Sequence, residues 1–307
     1  MIRRPTSHTL LRNVTAGSAW GVLPLKNPEH AKTRLAAVLT AEERRKLFRA
    51  MAEDVLAALS GAGGLEGTVV VTRDTWAQAL AEEYGAAVLE EAANRGQSPA
   101  VADAVAALAG AGAGAALALP GDVPLVSPAE IDRVLAAHGP APSVTLTPAG
   151  DGRGTNCVAS SPPDAIPFHF GHDSFRPHKA EARALGIEPC IVTGLPGIAL
   201  DVDKPEDLRM LLAQGGACRA LAWLGGTDIP ARLAAARNAA NVTDSGVGAA
   251  AAPNAANHTN GGVVRRRPAG PGAPKEMRGF APPGGEGEMT ARELGIMNRG
   301  HLPGAAA

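Results

Sequence analysis

Between residues 18 and 216, short apolar runs alternate with amphipathic stretches of helical length. An apolar run without helical periodicity is typical of a buried strand, whereas apolar residues three or four positions apart indicate a helix. Strands that alternate with helices predict a mainly parallel sheet with helices on both faces. The expected strands lie at 19–25, 68–72, 87–89, 115–119, 143–147, 157–160 and 189–192.

Several helix starts are marked by residues that can cap them. Thr40 and Ser127 each stand three residues before a glutamate, which is the spacing of a capping box. Ser98 is followed by a proline and is expected to cap a third helix. Asp203 is expected to cap a helix over 204–212, because its side-chain oxygen can accept a free backbone N–H of the first turn. This interpretation gives Asp203 a structural role.

The composition of the chain changes after about residue 235. From residue 238 to 307 there are 13 glycines and 7 prolines, and only eight residues are Val, Leu, Ile or Phe. Such a segment buries too little apolar surface to offset its ordering entropy, so a disordered tail is expected. The expected organisation is a flexible arm over 1–17, a main domain over 18–216, one more helix over 217–235 and the tail over 236–307.

Charge, hydropathy and cysteine usage exclude several classes of protein. The formal net charge of −1 and the isoelectric point near 6.7 exclude a strongly basic nucleic-acid binder. No apolar run reaches the roughly 18 residues that a membrane-spanning helix needs, and no secretory signal is recognisable. Cys157, Cys190 and Cys218 are far apart, so neither a disulfide framework nor a zinc site is expected. These features favour a cytoplasmic protein without nucleic-acid or membrane partners.

Unusual polar residues follow several of the expected strands, and strand ends are where α/β proteins bind ligands. The loop after 19–25 carries Lys26, Lys32 and Arg34. Lysine supplies a point charge and arginine a two-pronged donor, so the loop fits a polyphosphate. An ordinary solvated basic loop is the alternative. The loop has neither GxxxxGK[ST] nor GxGxxG, so side chains would have to hold the phosphates.

Two carboxylates are candidates for a metal site. Asp122 follows the strand 115–119 in a Pro-Gly-Asp segment, and Gly121 beside it would let a phosphate approach the backbone. A simple turn explains the same segment. Asp201 has no capping role and becomes the second carboxylate. Magnesium takes one or two carboxylates together with phosphate oxygens and waters, so this pair predicts a magnesium site.

Two glycine-containing segments, one around Thr155 and one around Gly171 and Ser174, favour anion binding. Glycines free backbone N–H groups, and the hydroxyls and a helix start add further hydrogen-bond donors. His172 and His178 lie six residues apart with a proline between them, which makes a histidine metal site a weak alternative. A plain loop is the other alternative.

The order of these segments resembles the 2-phospho-L-lactate guanylyltransferase family of coenzyme F420 biosynthesis. The shared order is a cationic loop, Gly-Asp after a mid-chain strand, Gly-Thr-Asn, Phe-Gly-x-x-Ser-Phe and Leu-Asp-Val-Asp-x-Pro-Glu-Asp-Leu, within residues 19–214. The resemblance implies a Rossmann-like, three-layer α/β/α nucleotidyltransferase fold. It also implies GTP and Mg²⁺, with 2-phospho-L-lactate, phosphoenolpyruvate or 3-phospho-D-glycerate as the acceptor.

The resemblance assigns roles to the residues whose positions match the family's motifs. Asp122 and Asp201 match the metal carboxylates, and Asp122 is also catalytic. The other implied roles are catalysis and triphosphate binding by Lys26 and Lys32, triphosphate binding by Arg34, nucleotide binding by Gly96, Ser98 and Gly121, and acceptor binding by Thr155, Gly171 and Ser174. The chain departs from the family at Gly96-Gln-Ser-Pro, where many members have Gly-Leu-Asn-Ala, and in its tail.

The implied reaction is an in-line attack by a phosphate oxygen of the acceptor on the α-phosphorus of GTP, which releases pyrophosphate. A phosphate monoester is mostly ionised at neutral pH, so no general base is needed. One alternative is a nucleotidyltransferase of the same fold that acts on molybdopterin or a sugar phosphate. These usually carry a glycine-rich first loop, and residues 24–35 contain no glycine. The other alternative is a non-catalytic nucleotide-binding scaffold. The downstream transferase of the F420 pathway is the expected protein partner.

Overall fold

The computed structural model describes residues 11, 14–27, 32–91, 93 and 95–236. The tail predicted over 236–307 lies outside the described residues from residue 237 onward, as does most of the arm predicted over 1–17. The described chain forms one twisted sheet with helices packed against both of its faces.

Seven strands form the sheet: β1 (Ala19–Pro24), β2 (Gly67–Thr72), β3 (Ala87–Glu90), β4 (Ala115–Ala118), β5 (Ser143–Pro148), β6 (Thr155–Ser161) and β7 (Cys190–Ile191). Their order across the sheet is β3-β2-β1-β4-β6-β5-β7. Within this sheet, β6 runs antiparallel to its neighbours β4 and β5, and all other neighbours are parallel. The mainly parallel sheet predicted from the apolar runs is therefore confirmed.

The helices follow the strands as the sequence pattern predicts. A short 3₁₀ helix covers Thr33–Ala37. The α-helices are α1 (Ala41–Gly61), α2 (Thr75–Glu83), α3 (Gln97–Gly110), α4 (Pro128–Ala137), α5 (Phe175–Ala184), α6 (Pro196–Ala199), α7 (Pro205–Gln214), α8 (Arg219–Gly225) and α9 (229–236). Helices α3 and α5 cover one face of the sheet, and α1, α2, α4, α7 and α8 cover the other, which gives three layers.

The central strands read as continuous apolar runs because both faces of the sheet are buried. Successive side chains of a strand point to opposite faces. Leu23 and Val70 accordingly belong to the core beneath α1, whereas Val22 and Val69 belong to the core beneath α3. All four side chains are almost completely buried.

Two of the predicted helix caps are confirmed. The Thr40 hydroxyl accepts the backbone N–H of Glu43 at 3.2 Å, and the Glu43 carboxylate accepts the N–H of Thr40 at 2.8 Å. Ser127 and Glu130 make the same reciprocal pair at the start of α4. Each box satisfies backbone donors of the first turn that have no partner within the helix.

The cap predicted at Ser98 is wrong. Helix α3 begins two residues earlier than a cap at Ser98 implies, with Gly96 at the N-cap position and φ at 114°. The Ser98 hydroxyl instead accepts the backbone N–H of Phe170, at 2.8 Å. The prediction took Pro99 as the first helical residue, but it is the third. Proline is tolerated at any position of the first turn, because the N–H groups there have no partner within the helix.

The cap predicted at Asp203 is also wrong. Lys204 is the N-cap residue of α7, and Pro205 is the first helical residue. The Asp207 carboxylate accepts the backbone N–H groups of Asp203 and Lys204, at 2.9 and 2.7 Å. The Asp203 carboxylate therefore does not cap the helix, and it pairs instead with Lys32 and Arg34.

The segment predicted as one more helix forms two short ones, α8 and α9. The Asp54 carboxylate on α1 accepts the backbone N–H groups of Arg219 and Ala220, at 2.8 and 2.9 Å, and so satisfies the start of α8. Leu224 and Leu233 are buried in the core beneath α1. Both helices therefore pack on the main domain.

In the described part of the chain, no helix is both long enough and apolar enough to cross a membrane. The three cysteines are free, with Cys157 buried, Cys218 partly buried and Cys190 exposed.

Candidate active site

A cleft of about 620 Å³ opens at the edge of the sheet where the parallel strands end. Asp122, in the loop after β4, lines it on one side. Thr155 and Asn156 line it from the start of β6. Because β6 is antiparallel to β4, the start of β6 lies at the same edge as the ends of the parallel strands. Asp201 and Asp203, which precede α7, complete the polar wall.

Lys32 is the buried cation of this cleft. Its ammonium group contacts the carboxylate of Asp122 and lies 2.5 Å from Oδ1 of Asp203. The Lys32 side chain is only 6% exposed. Burial alone would lower the pKa of Lys32, but the two carboxylates outweigh burial and raise this pKa above its ordinary value. The lysine is therefore held in its charged form.

The backbone that presents Lys32 adopts an unusual conformation. Lys32 has φ 55° and ψ 42°, and it is the one non-glycine residue with positive φ in the part of the chain that the structure describes. This conformation costs an L-residue roughly 1–2 kcal/mol. It immediately precedes the 3₁₀ helix, whose Leu35 is buried in the core. The turn places the Lys32 ammonium against the carboxylates of Asp122 and Asp203.

Asp203 is a site residue that the sequence analysis missed. Burial alone would raise its pKa, but the facing Lys32 ammonium, with Arg34 next, holds the pKa of Asp203 below its ordinary value. The signal was present in the segment Asp-Val-Asp. Alternate residues of an extended segment face the same side, and Val202 between the two aspartates is completely buried.

Asp201 is held by Asn156, whose Nδ2 donates to Asp201 Oδ1 at 3.0 Å. Nδ2 also donates to the carbonyl of Ile198 at 2.9 Å, which fixes the amide. Burial raises the pKa of Asp201, the Asn156 hydrogen bond opposes this rise, and the charges of Asp122 and Asp203 add to it. A carboxylate in these surroundings is stabilised by an additional cation.

The carboxylates of this cleft fit a hard divalent cation. Asp122, Asp201 and Asp203 together carry more negative charge than Lys32 neutralises, and Arg34 reaches Asp203 only at 3.9 Å with an exposed side chain. In addition, Asp122 Oδ1 is buried and has no hydrogen-bond partner within the described residues. Across those residues no group of three or more His, Cys, Asp or Glu side chains could hold a metal by itself. Substrate oxygens and water would have to complete the coordination, as magnesium commonly requires.

The other residues assigned to the nucleotide lie around this centre at different distances. Arg34 lines the cleft, whereas Lys26 is exposed and lies outside its lining, and residues 28–31 lie outside the described chain. Gly121 has a packing reason to be glycine, because a Cβ there would lie 2.6 Å from Cδ2 of Leu25. At the start of α3, Gln97 lines the cleft, whereas its neighbours Gly96 and Ser98 do not. Their nucleotide-binding roles remain predictions.

The three residues assigned to the acceptor lie together. The backbone N–H of Thr155 donates to the Ser174 hydroxyl at 2.8 Å. Thr155 and Gly171 line the cleft, and Ser174 is the buried N-cap residue of α5. Gly171 has φ at 151°, with open space where a Cβ would be. The cleft thus places the Thr155 hydroxyl beside a group of carboxylates, an arrangement that can hold a phosphorylated anion next to a cation.

The chain is similar in sequence to known guanylyltransferases. Residues 20–238 match the family described as "Guanylyl transferase CofC like". The chain is 40% identical over 206 residues to a phosphoenolpyruvate guanylyltransferase of Conexibacter woesei, covering 65% of this chain and 92% of that protein. It is 36% identical over 190 residues to a 3-phospho-D-glycerate guanylyltransferase of Colwellia psychrerythraea, covering 62% and 89%.

A crystal structure from Desulfovibrio desulfuricans G20, named as a nucleotide-diphospho-sugar transferase, superposes with a TM-score of 0.57. The superposition covers 71% of this chain and 97% of that structure, at 16% sequence identity. This likeness confirms the three-layer nucleotidyltransferase fold.

Proposed function

The chain belongs to the CofC-like guanylyl transferase family, and from that premise we propose that it transfers GMP from GTP to a small phosphorylated carboxylate. Phosphoenolpyruvate is the first acceptor to test, since the Conexibacter woesei relative at 40% identity is a phosphoenolpyruvate guanylyltransferase. We place the reaction in coenzyme F420 biosynthesis, where the guanylylated product would pass to a downstream transferase. 3-Phospho-D-glycerate and 2-phospho-L-lactate are the other acceptors to compare.

One observation carries the proposal. The carboxylates of Asp122 and Asp203, which pair with Lys32, line the same cleft as Thr155. A nucleotidyl transfer needs these two parts side by side, because the acceptor phosphate must approach the α-phosphorus while charge builds on the departing pyrophosphate.

The reaction forms a bond between a phosphate oxygen of the acceptor and the α-phosphorus of GTP. It breaks the bond from that phosphorus to the oxygen that leads to the β-phosphate, and pyrophosphate leaves with the electron pair. The attacking oxygen is already ionised at neutral pH, so no side chain has to remove a proton. The hydroxyl of Thr155, which lines the cleft, would only have to orient the anion.

The charged residues have a second task, which is to let two anions approach each other. Lys32 offsets part of the charge of Asp122 and Asp203, and without it these carboxylates would repel the triphosphate. Arg34 is exposed at the rim and free to turn toward phosphate oxygens. Asp122 and Asp201 would hold a Mg²⁺ ion, which when bound supplies positive charge to the phosphate oxygens.

Pyrophosphate release tests the proposal. The purified protein would be incubated with GTP and Mg²⁺, with each of the three acceptors offered separately and with no acceptor as the control. Release that depends on one acceptor supports guanylyl transfer and identifies the substrate. If none of the three acceptors caused pyrophosphate release but a sugar phosphate did, the proposed acceptor class would be overturned and the fold would be unaffected.

A further inference from the structure

His178 is a buried imidazole that the proposed reaction does not use. It lies on α5, one helical turn after Ser174, and none of its surface is exposed. Its Nε2 lies 2.9 Å from the backbone nitrogen of His169, and its Nδ1 lies 3.1 Å from the hydroxyl oxygen of Thr155. Both ring nitrogens therefore have a partner: Nδ1 contacts Thr155, and Nε2 contacts the loop that leads to Gly171.

The partners of the ring determine where its proton lies. A backbone N–H can only donate, so Nε2 must be the accepting nitrogen toward His169. A neutral imidazole then carries its proton on Nδ1, which donates to the Thr155 oxygen. Because that oxygen accepts from His178, the hydroxyl hydrogen of Thr155 must point in another direction. Thr155 lines the cleft, so this hydrogen can be donated to an anion there.

We propose that His178 is a positioning residue that makes Thr155 a hydrogen-bond donor to the acceptor anion and anchors the loop that carries Gly171. The inference rests on the proposed function, because it assigns the ring to the acceptor side of the guanylyl transfer. His178 itself lies behind Thr155 and acts through it.

The anchoring half of the proposal has its own contacts. The ring of His178 packs edge-on against the ring of Phe170, with centroids 5.3 Å apart, and against Phe168 at 6.3 Å. The next backbone donor of the loop, the N–H of Phe170, is bound by Ser98 on α3. His178 and Ser98 thus hold the two residues before Gly171. These contacts position Gly171, which lines the cleft.

Burial keeps the ring in the form that this arrangement needs. Desolvation, with a smaller contribution from the neighbouring His169, lowers the pKa of His178 to about 4. The imidazole is therefore neutral at neutral pH. A protonated ring would present a hydrogen on Nε2 to the N–H of His169, so the loop contact depends on the neutral form.

Two substitutions separate positioning from packing. His178→Asn places an amide nitrogen near the Nδ1 position and can still donate to Thr155. His178→Gln places an amide oxygen near the Nε2 position and can accept from His169, but it leaves Thr155 without its donor. Both variants keep an amide side chain and differ in which ring nitrogen it replaces, so each is the matched control for the other.

Steady-state kinetics would be measured with GTP and the acceptor varied in turn. We expect His178→Gln to raise the KM for the acceptor by at least tenfold and to change the KM for GTP less than twofold. His178→Asn, which keeps a donor to Thr155 but loses the contact with His169, should raise the KM for the acceptor less than His178→Gln does. Thr155→Val should match His178→Gln, and the double variant should be no worse than Thr155→Val alone. Equal losses in His178→Asn and His178→Gln, or losses that multiply in the double variant, would overturn the proposal.

A measurement on the wild-type protein removes the dependence on activity and on the folding of variants. Long-range ¹H–¹⁵N spectra of the imidazole should show a neutral ring with its proton on Nδ1. A proton on Nε2 would overturn the proposal even if guanylyl transfer is observed. Conversely, the Nδ1–H form together with no pyrophosphate release from any acceptor would overturn the proposed function.

Discussion

The ammonium nitrogen of Lys32 lies 2.5 Å from Oδ1 of Asp203, although the two residues are 171 positions apart in the chain. The same ammonium contacts Asp122, so one buried cation joins the loop after β1, the loop after β4 and the segment before α7. A buried ion pair of this kind is weak evidence for stability, because desolvation offsets much of the attraction. Its position beside a cleft is better explained by function.

Replacement of Lys32 by methionine should lower kcat/KM for GTP by about 10²–10³-fold, the range observed when one electrostatic stabiliser is removed. The physical reason is the loss of the charge that offsets Asp122 and Asp203 as the triphosphate approaches. The kinetics would be measured below the unfolding midpoint, since the partly exposed carboxylates of Asp122 and Asp203 that lose their partner also destabilise the fold.

Lys46→Met is the matched control for this variant. Lys46 makes an exposed ion pair with Glu42 on α1, 2.8 Å long, and does not line the cleft. Its replacement should leave kcat/KM within twofold of the wild-type value. The role given to Lys32 would be contradicted if both lysine variants had wild-type kinetics.

Asp122→Asn keeps the shape of the side chain and removes its charge. We expect kcat to fall by about 10²–10³-fold, and the affinity for Mn²⁺ in the presence of GTP to fall in a calorimetric titration. Asp164→Asn, at an exposed position outside the cleft lining, is the control. Wild-type turnover in the Asp122 variant would remove this carboxylate from the metal site.

The fold was predictable from the sequence because its signals are local. The apolar runs of β1, β2 and β4 are continuous since helices bury both faces of the sheet, and the boxes at Thr40 and Ser127 depend on residues three positions apart. The antiparallel direction of β6 has no such local signal. It follows from packing between distant strands, which an alternating pattern of strands and helices does not encode.

The site was predictable only in part. Asp122 and Lys32 were singled out because they follow strands, and Asp201 because no helix cap explained it. Asp203 was assigned to a cap because it directly precedes the helix predicted over 204–212. The helix begins one residue later than predicted, and the Asp207 carboxylate caps it by accepting the backbone N–H of Lys204. His178 could not be placed at all, since its role depends on contacts with Thr155 and His169 that arise only in the folded chain.

Variants of Asp203 and Asp207 should separate charge pairing from helix capping. Asp207→Ala removes the acceptor for two backbone N–H groups and should lower the free energy of unfolding by about 1 kcal/mol. Asp203→Asn leaves that cap in place, so the free energy of unfolding should change less, while kcat/KM for GTP falls at least tenfold because Lys32 loses one of its anchors. Chemical denaturation and steady-state kinetics would be compared for both variants. The reverse pattern, with Asp203 governing stability alone, would restore the capping interpretation.

The buried imidazole of His178 should also make stability depend on pH. Its pKa is about 4 in the folded protein and about 6.5 in the unfolded chain. Between these values the unfolded chain binds a proton that the native state does not, so the free energy of unfolding falls as the pH falls through this range. Between pH 7 and pH 5 the loss from this one group is about 2 kcal/mol. Denaturation of the wild type and His178→Asn at both pH values isolates it, because the carboxylates titrate in both proteins; identical pH dependence would show that the ring is not held neutral by burial.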